Sequence, residues 1–575
     1  MLRQEYLKTF THVLVIVCIA IFPLVISLTR PITWSYPMQS FTELVHPLYW
    51  VGFSLSMLMM SISLVDSNPS SARPLVPIIV ALYTTSTVPI ALFKYPLIRE
   101  LNHIAQPVYI SEIGRIDPLG YPGHSETISS PILYSTLSMV IGANIFGLVR
   151  YLLPILLPLL FILYSYLISK SLVGSGREAI LASALLASML YGGWGVNRSS
   201  FALTIFSLAV LCILKLFRGK ELVNCYSLAL IIGSSVTMED PAHSVILIGS
   251  LLLFFFINVL IKFSISGLRS RLSGEVENFA LCFSVIFISW MFARSSKTLP
   301  LAAKEVWEKI YMSFIGPTTE RFPTLRSGYL EPFSTWYRIK GLLSLGILSL
   351  TLICLAHILL HKDAKKDFLA DHSALFLFSL FITCIFTLAT TSYGLPYILP
   401  TTIMLAYSIT RIRRLRGRIY SPLLIATMAL IAAFALTTPQ YEFLITYVRG
   451  GLSRGEVAEF SWVGSYTPQD KLTVYTLVTG EMCAMSYAPK VFTHSGKTAI
   501  SEFSPNPLNL TCKAFQALKY KEAIIISKHL LVMANKYKTN MPFPEFEKCI
   551  YEELNEQYNL VYNAGCFYYS IWYRR

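Results

Sequence analysis

The chain has 575 residues, of which 54% are hydrophobic and only 14% are charged. Soluble domains carry about 25% charged residues, so this composition is typical of a membrane protein. The formal net charge of +15 could suggest nucleic acid as a partner. We exclude that interpretation because no basic domain or RNA-binding motif is present. Most lysines and arginines instead stand in short segments beside apolar runs, where they contact the anionic head groups of membrane lipids.

Apolar, charge-poor runs recur from residue 11 to residue 439, and a helix of about 20 such residues crosses a hydrocarbon layer about 30 Å thick. The first run is not followed by a small-residue cleavage site, so we predict an uncleaved span and not a signal peptide. We predict thirteen transmembrane helices, at residues 11–28, 46–65, 74–93, 150–169, 179–195, 200–217, 225–238, 243–262, 278–294, 341–360, 374–393, 395–410 and 420–437.

Positive charges between these runs predict the orientation, because such charges stay in the cytoplasm. With thirteen spans they all fall on one side, which places the N-terminus inside and the C-terminus outside the cell membrane. The basic residues are Arg3 and Lys8; Arg73; Lys170 and Arg177; Arg218 and Lys220; Lys262, Arg269 and Arg271; Lys362, Lys365 and Lys366; and Arg411, Arg413, Arg414, Arg416 and Arg418.

The predicted fold is a multi-pass α-helical membrane protein with a small extracytoplasmic α/β domain at its C-terminus. Residues 129–148 are apolar enough for a fourteenth span, but Gly142, Asn144 and Gly147 interrupt them, so we interpret them as an amphipathic helix at the outer surface. The predicted parts are 1–93, the N-terminal transmembrane helices; 94–149, an extracytoplasmic loop and interfacial helix; 150–438, the transmembrane core with an outer loop at 295–340; and 439–575, the exported domain.

The exported part contains four cysteines, whereas the other six lie within apolar spans. Four cysteines in one exported domain favour two disulfides, for which three pairings are open, and buried free thiols are the alternative. The candidates are Cys483, Cys512, Cys549 and Cys566.

Motifs for soluble cofactors are absent, and the ionisable residues that stand near the predicted outer surface form three groups. In the first, Glu100 and His103 would share one helix face and could act as acid and base on a hydroxyl group. The alternative is an ordinary solvated helix start.

The second group flanks a predicted tight turn at Pro122 and Gly123. Its members after the turn stand near the start of the surface helix, whose N-terminus favours a phosphate or a carboxylate. Capping of that helix by Ser125 or Thr127 is the alternative. The group comprises Arg115, Asp117, His124 and Glu126.

The third group, Glu239, Asp240 and His243, lies at a hairpin tip between two apolar spans. Ionisable groups so close to hydrocarbon are costly unless they are solvated or used. Equally, Asp240 and Pro241 can form a turn between two helices, with His243 as a cap. The spacing of these acids and histidines is not diagnostic of a metal, so a divalent-metal requirement stays open.

Five stretches of the sequence form a recognisable set: Glu100-x-x-His103 with Gly114-Arg-Ile116, Tyr121-Pro-Gly123, Arg150-Tyr-Leu-Leu-Pro154, Gly174-Ser-Gly-Arg177 and Glu239-Asp-Pro-Ala-His243. Together they resemble GT-C type integral-membrane glycosyltransferases, and in particular their poorly characterised prokaryotic, largely archaeal relatives. The exported tail fits the C-terminal domain that such proteins carry.

The resemblance implies transfer of a sugar from a polyprenyl-phosphate carrier to an acceptor on the extracytoplasmic face. Glu100 would be the general base, although the family's usual acid lies in the first outer loop, where this chain has only Glu43. The other implied roles are Asp117 or Asp240 to support the base or hold a metal, His103 and His124 to orient hydroxyl groups, Glu126, Glu239 and His243 to line the substrate site, and Arg115, Arg150 or Arg198 to pair with the phosphate.

A second interpretation is a membrane protein without enzymatic activity, which binds or moves a lipid or glycan, or which holds a protein partner through its exported domain. Transporters bury polar residues near the bilayer midplane, whereas the ionisable residues here collect at the outer edge. The pattern therefore favours chemistry or head-group binding at the surface.

Overall fold

A computed structural model describes most of the helical part of the chain and four strands near its end. The described residues are 2–30, 41–65, 74–92, 104, 107–108, 110–111, 129–174, 176–190, 198–218, 222–264, 274–294, 331–391, 396–415, 417–449, 474–476, 523–527, 558–563 and 569–574.

The described part is almost entirely helical. Three π-helical turns interrupt it: Leu82–Ser86 and Val88–Leu92 follow α4, and Leu148–Leu152 joins α6 to α7. The helices are α1 Leu2–Leu28, α2 Phe41–Leu44, α3 Leu48–Val65, α4 Leu75–Ala81, α5 Ser129–Ile141, α6 Ile145–Gly147, α7 Leu153–Val173, α8 Gly176–Met189, α9 Arg198–Phe217, α10 Leu222–Glu239, α11 Pro241–Ser264, α12 Gly274–Arg294, α13 Glu331–Leu360, α14 Lys362–Ala370, α15 His372–Thr391, α16 Ile398–Leu415 and α17 Gly417–Arg449.

Eight helices among the described residues are long and apolar enough to cross a membrane, and the pair α14 and α15, bent by 91°, would be a ninth. The prediction of a multi-pass helical membrane protein is therefore confirmed. Each of the thirteen predicted spans coincides with a helix, but several of these helices are short. The number of spans and the orientation of the chain stay predictions.

Helix α5 has 13 residues, too few to cross a bilayer. It ends where Gly142 adopts a left-handed conformation, with φ of 68°, which favours glycine. The candidate span that follows extends over Ile145–Val173 and so begins before the predicted residue 150. The location of α5 at the membrane surface stays a prediction.

By its backbone contacts the chain divides into two compact units. The predicted division into four parts stays a prediction. The first unit comprises Met1–Lys94, Asp117–Ser130 and Arg150–Ile445, and the second comprises Tyr95–Ile116, Pro131–Val149 and Thr446–Arg575.

The described residues of the second unit include four strands: β1 Val474–Thr476, β2 Ala523–Ser527, β3 Tyr558–Asn563 and β4 Tyr569–Arg574. They form one sheet in the order β1-β2-β4-β3, in which β1 runs parallel to β2, and β4 pairs antiparallel with both β2 and β3. The helical component of the predicted α/β domain and all four disulfide candidates lie outside the described residues, and the six cysteines that are described are free thiols.

Contacts in the first unit gather the basic segments at one end of the helix bundle, which we call the basic end. Arg218, just after α9, donates to the carbonyl oxygen of Ser171 near the end of α7. The guanidinium of Arg413, near the end of α16, pairs with Glu178 in the first turn of α8 at 3.1 Å. The basic segments that contain Arg218 and Arg413 therefore lie at one end of the bundle, as expected of segments on one side of a membrane. Which side of the membrane this is stays a prediction.

The opposite end of α8 is held by hydroxyl groups. Thr84 donates to the carbonyl oxygen of Ala187 at 3.2 Å, and Thr438 donates to that of Ser188 at 2.7 Å. Because nine to ten residues of α8 separate Glu178 from Ala187 and Ser188, these contacts lie about 15 Å along the helix from the basic end. We call this the polar end of the bundle.

Helices α1, α3 and α4 meet at one close approach around Gly52. The hydroxyl of Tyr83 passes this glycine and donates to the carbonyl oxygen of Cys18 at 2.7 Å, while the Tyr49 hydroxyl donates to the carbonyl oxygen of Tyr83 at 3.0 Å. A Cβ at Gly52 would overlap the Tyr83 ring. Only glycine leaves room for this hydrogen-bonded tyrosine.

We expect Gly52→Ala to lower the free energy of unfolding by about 1 to 3 kcal/mol, because the added methyl group overpacks a rigid, hydrogen-bonded ring. Thermal unfolding in a mild detergent measures the change. Gly346→Ala in α13 is the matched control: its Cβ would meet only Leu430, at 3.8 Å, and alanine favours a helix. Equal melting temperatures for the two variants would contradict the packing described here.

Candidate functional site

The turn between α10 and α11 carries the third predicted group, and its geometry follows from Asp240 and Pro241. Pro241 is the first residue of α11, where its missing N–H costs nothing. The Asp240 carboxylate accepts from the Ala242 N–H at 3.1 Å and so caps the helix, while its other oxygen lies 3.1 Å from His243 Nδ1. The predicted turn is confirmed, but the capping side chain is Asp240 and not His243.

Glu239 is fully buried just before this turn. Its carboxylate accepts from the backbone N–H of Ser130 at 2.8 Å and from the Ser130 hydroxyl at 2.6 Å. Ser130 stands in the first turn of α5, so the carboxylate also meets the positive end of that helix dipole. A buried carboxylate is costly unless hydrogen bonds satisfy it, and Ser130 supplies two of them.

His243 is fully buried as well and packs edge to face against Phe206, with ring centroids 5.6 Å apart. When the imidazole is neutral and its Nδ1 carries the proton, Nδ1 donates to the Asp240 carboxylate and Nε2 is an acceptor. A carboxylate that holds an imidazole in one tautomer is the arrangement by which enzymes orient a base. Asp240 and His243 therefore form an oriented acid–imidazole pair.

This pair lies away from the basic end. Phe206, which packs against His243, and Phe217 both belong to α9. Phe217 contacts His372 at the start of α15, and α15 directly follows α14, whose Asp367 pairs with Arg411 at the basic end. Eleven residues of helix separate the two phenylalanines, which is about 16 Å along the axis. The acid–imidazole pair therefore lies toward the end of α9 that is remote from α14.

Arg150 is 2% exposed and lies in the π-helical turn Leu148–Leu152. One of its terminal nitrogens approaches the Ile90 carbonyl oxygen at 3.5 Å, and its guanidinium lies 5.9 Å from the centre of the Tyr151 ring. Turns of this kind are rare and frequently mark functional sites. Arg150 lies just before α7, and Ser171 near the other end of α7 lies at the basic end. The guanidinium therefore belongs to the polar end.

Most of the predicted site lies outside the described residues, so those assignments stay predictions. Arg198 begins α9, but its side chain is not among those described. Among the described residues, no group of three or more histidines, cysteines, aspartates and glutamates could hold a metal ion. The predicted residues outside the described part are Glu100, His103, Arg115, Asp117, His124 and Glu126.

Sequence reasoning missed the Ser130 partner of Glu239, which is 109 positions away in the chain. It also did not identify Thr84, Thr85 and Ser86, which lie within an apolar run and donate hydrogen bonds at the polar end. The hydroxyls of Thr85 and Ser86 donate to the carbonyl oxygens of Leu190 and Pro154, respectively. Consecutive hydroxyl residues inside a predicted span were the available signal, because such residues need partners there.

No protein-family model and no curated protein matches the sequence. Among solved structures, the chain is similar to the oligosaccharyltransferase of Archaeoglobus fulgidus in its complex with zinc and sulfate. The two are 12% identical with a TM-score of 0.54, over 86% of this chain and 72% of that one. The apo form of that enzyme gives 11% identity and a TM-score of 0.50, over 83% and 72%. The fold is of the GT-C type.

A lower-scoring GT-C neighbour is ArnT from Cupriavidus metallidurans bound to undecaprenyl phosphate, with 11% identity and a TM-score of 0.46, over 87% of this chain and 97% of that one. The two oligosaccharyltransferase structures confirm the predicted resemblance to GT-C proteins for the fold. At 11 to 12% identity, similarity to those two structures shows the arrangement of the chain and no residue role.

We expect Glu239→Gln to lower the free energy of unfolding by about 1 to 3 kcal/mol, because the amide keeps only one acceptor oxygen and loses the charge that strengthens both hydrogen bonds from Ser130. Ser130→Ala removes only the hydroxyl and should cost about half as much. Thermal unfolding in detergent measures both. Glu277→Gln, at an exposed acid of α12, is the control and should leave the melting temperature unchanged. A Glu239→Gln protein as stable as this control would show that the buried pair is not stabilising.

Proposed function

We propose that this GT-C protein transfers a sugar from a polyprenyl-phosphate carrier to an acceptor on the extracytoplasmic face of the membrane. The observation that carries the proposal is the fold, which extends over 86% of the chain in the comparison with an oligosaccharyltransferase. The chemistry of the polar end supports it independently, since the acid–imidazole pair and the buried Arg150 lie toward that end of the bundle.

Displacement at the anomeric carbon of a sugar phosphate needs a base toward the acceptor hydroxyl and a positive charge toward the leaving phosphate. We assign the base to Glu100 on the outer loop. Arg150 provides the charge, because its guanidinium is fixed between a π-helical turn and the Ile90 carbonyl and carries the donor geometry that fits phosphate oxygens. A donor whose lipid tail stays in the bilayer can reach such a residue from the membrane.

Asp240 and His243 have a supporting role in this proposal. The carboxylate holds the imidazole at 3.1 Å, so His243 can accept or return a proton without losing its orientation. Glu239 acts through Ser130 at the start of α5, a contact within the first unit. It is therefore a positioning residue and not a group that contacts the sugar.

The decisive test is transfer from a radiolabelled pool of polyprenyl-phosphate sugars in membranes that carry the protein. We expect Glu100→Gln, at matched expression, to lower transfer by about 10²- to 10⁴-fold, which is the contribution of a positioned general base. Glu277→Gln is the control and should transfer at the parent rate. Activity that survives Glu100→Gln would place the base elsewhere, and no transfer by the parent from a broad pool would favour the non-enzymatic alternative.

A second variant separates catalysis from folding. Asp240→Asn keeps a side chain that caps a helix as well as aspartate does, but it removes the charge beside His243. We expect the melting temperature to fall less than in Glu239→Gln, because the helix cap is kept, while transfer falls at least about tenfold, with a shifted pH profile. Asp363→Asn, at an exposed acid of α14, is the matched control. Parent activity in Asp240→Asn would remove the acid–imidazole pair from the mechanism.

A further inference from the structure

A cluster of two arginines and one tyrosine stands at the basic end, apart from the residues assigned to sugar transfer. The guanidinium of Arg177 lies 5.6 Å from the centre of the Tyr420 ring, and that of Arg413 lies 5.3 Å from the same centre. Glu178, whose side chain is 1% exposed, accepts from Arg413 at 3.1 Å. We call Arg177, Arg413 and Tyr420 the arginine–tyrosine cluster.

Two donors of this cluster have no acceptor among the residues that the structure describes. They are Nε of Arg177 and the hydroxyl of Tyr420, and both atoms are shielded from solvent. Buried donors normally find a partner, since leaving one unpaired is destabilising. The cluster therefore offers two donors to an acceptor, and a ligand with more than one oxygen atom could meet both.

The charge of the cluster favours an anion. Among the described residues, Arg177 and Arg413 contribute two positive charges and Glu178 one negative charge, while Arg411 pairs with Asp367 at 3.2 Å. A planar guanidinium presents paired N–H donors that match two oxygens of one phosphate group. A phosphodiester, which carries a negative charge and two free oxygens, fits both the charge and this geometry.

The location of the cluster is that of a lipid head group. Tyr420 is the second residue of the candidate span Ile419–Tyr441, so it stands where a membrane-spanning helix begins. Arg413 lies near the end of α16, with its side chain 48% exposed. Beside them, α14 buries Phe368 and exposes Lys362, Lys365 and Lys366, which raise the positive potential along this edge of the bundle.

We propose that the arginine–tyrosine cluster binds the phosphodiester head group of an anionic phospholipid from the adjacent leaflet. The site lies at the end of α8 remote from the polar end and does not depend on the proposed sugar transfer. Its ligand chemistry is a phosphate group with two accessible oxygens, which free phosphate could also supply. The experiment therefore tests both sources.

The test uses the purified full chain in nanodiscs of phosphatidylcholine, titrated with short-chain phosphatidylglycerol and followed by native mass spectrometry. We expect Arg177→Gln to weaken phosphatidylglycerol binding by about tenfold, as the loss of a charge-assisted hydrogen-bonded contact does. Tyr420→Phe keeps the ring and loses the hydroxyl, and should weaken binding by about threefold.

Arg414→Gln is the matched control because it removes the same charge from an exposed residue adjacent to Arg413 in the chain. It should change binding by less than about twofold. If Arg177→Gln and Arg414→Gln weaken binding equally, the attraction is a general surface charge and the proposed site is wrong. Should Arg177→Gln fail to fold, Arg177→Lys keeps the charge but lacks the paired donors, and binding as tight as in the parent would overturn the proposal.

The second arm adds inorganic phosphate to the same phosphatidylcholine nanodiscs. If phosphate displaces phosphatidylglycerol and raises the melting temperature of the parent but not of Arg177→Gln, the site is confirmed with free phosphate as a ligand. If phosphatidylglycerol binds and phosphate does not compete, the head group of the lipid is the ligand. Absence of binding in both arms would overturn the proposal, whatever the outcome of the sugar-transfer assay.

Discussion

The need to satisfy every polar group that is withdrawn from water governs this structure more than any single contact. Inside the bundle, many hydroxyl side chains form hydrogen bonds within their own helix. Thr351, Ser379 and Thr410, for example, donate to the carbonyl oxygen four residues earlier. Where the backbone departs from the α-helix, at the π-helical turns, side chains from other helices or from the turn itself supply the missing partners. Buried carboxylates are paired with residues of other segments: Glu239 accepts from Ser130, and Glu178 accepts from Arg413.

This constraint divides the first unit into two chemically different ends. At the polar end, hydroxyls of Thr84 and Thr438 bind the carbonyl oxygens of α8 at 3.2 and 2.7 Å. At the basic end, ion pairs and cation–π contacts join α8 to α16 and α17. One helix of 14 residues, whose side chains are almost all buried, therefore links the polar end with the basic end.

Local patterns predicted well what depends on neighbouring residues. Apolar runs of sufficient length marked the helices, because hydrocarbon accepts no unsatisfied backbone, and Asp240 before Pro241 marked a capped turn. The pairing of Glu239 with Ser130 could not be predicted, since 109 residues separate them and no pattern indicates which segment meets a buried acid. The burial of Arg150 was missed for a related reason, because the apolar run was taken to begin at this residue while the helical segment begins at Ile145.

The π-helical turns have a consequence for how this protein can change over evolutionary time. Each such turn is equivalent to one inserted residue, and one residue corresponds to about 100° of rotation around an α-helix. Loss of the insertion within Leu148–Leu152 would leave the hydropathy of the segment intact and turn Arg150 away from Ile90. A related sequence with the same apolar profile but one residue fewer would therefore present a different face to the bundle. Hydropathy does not record helical phase, so the apolar profile of a relative would not show whether it keeps the buried arginine.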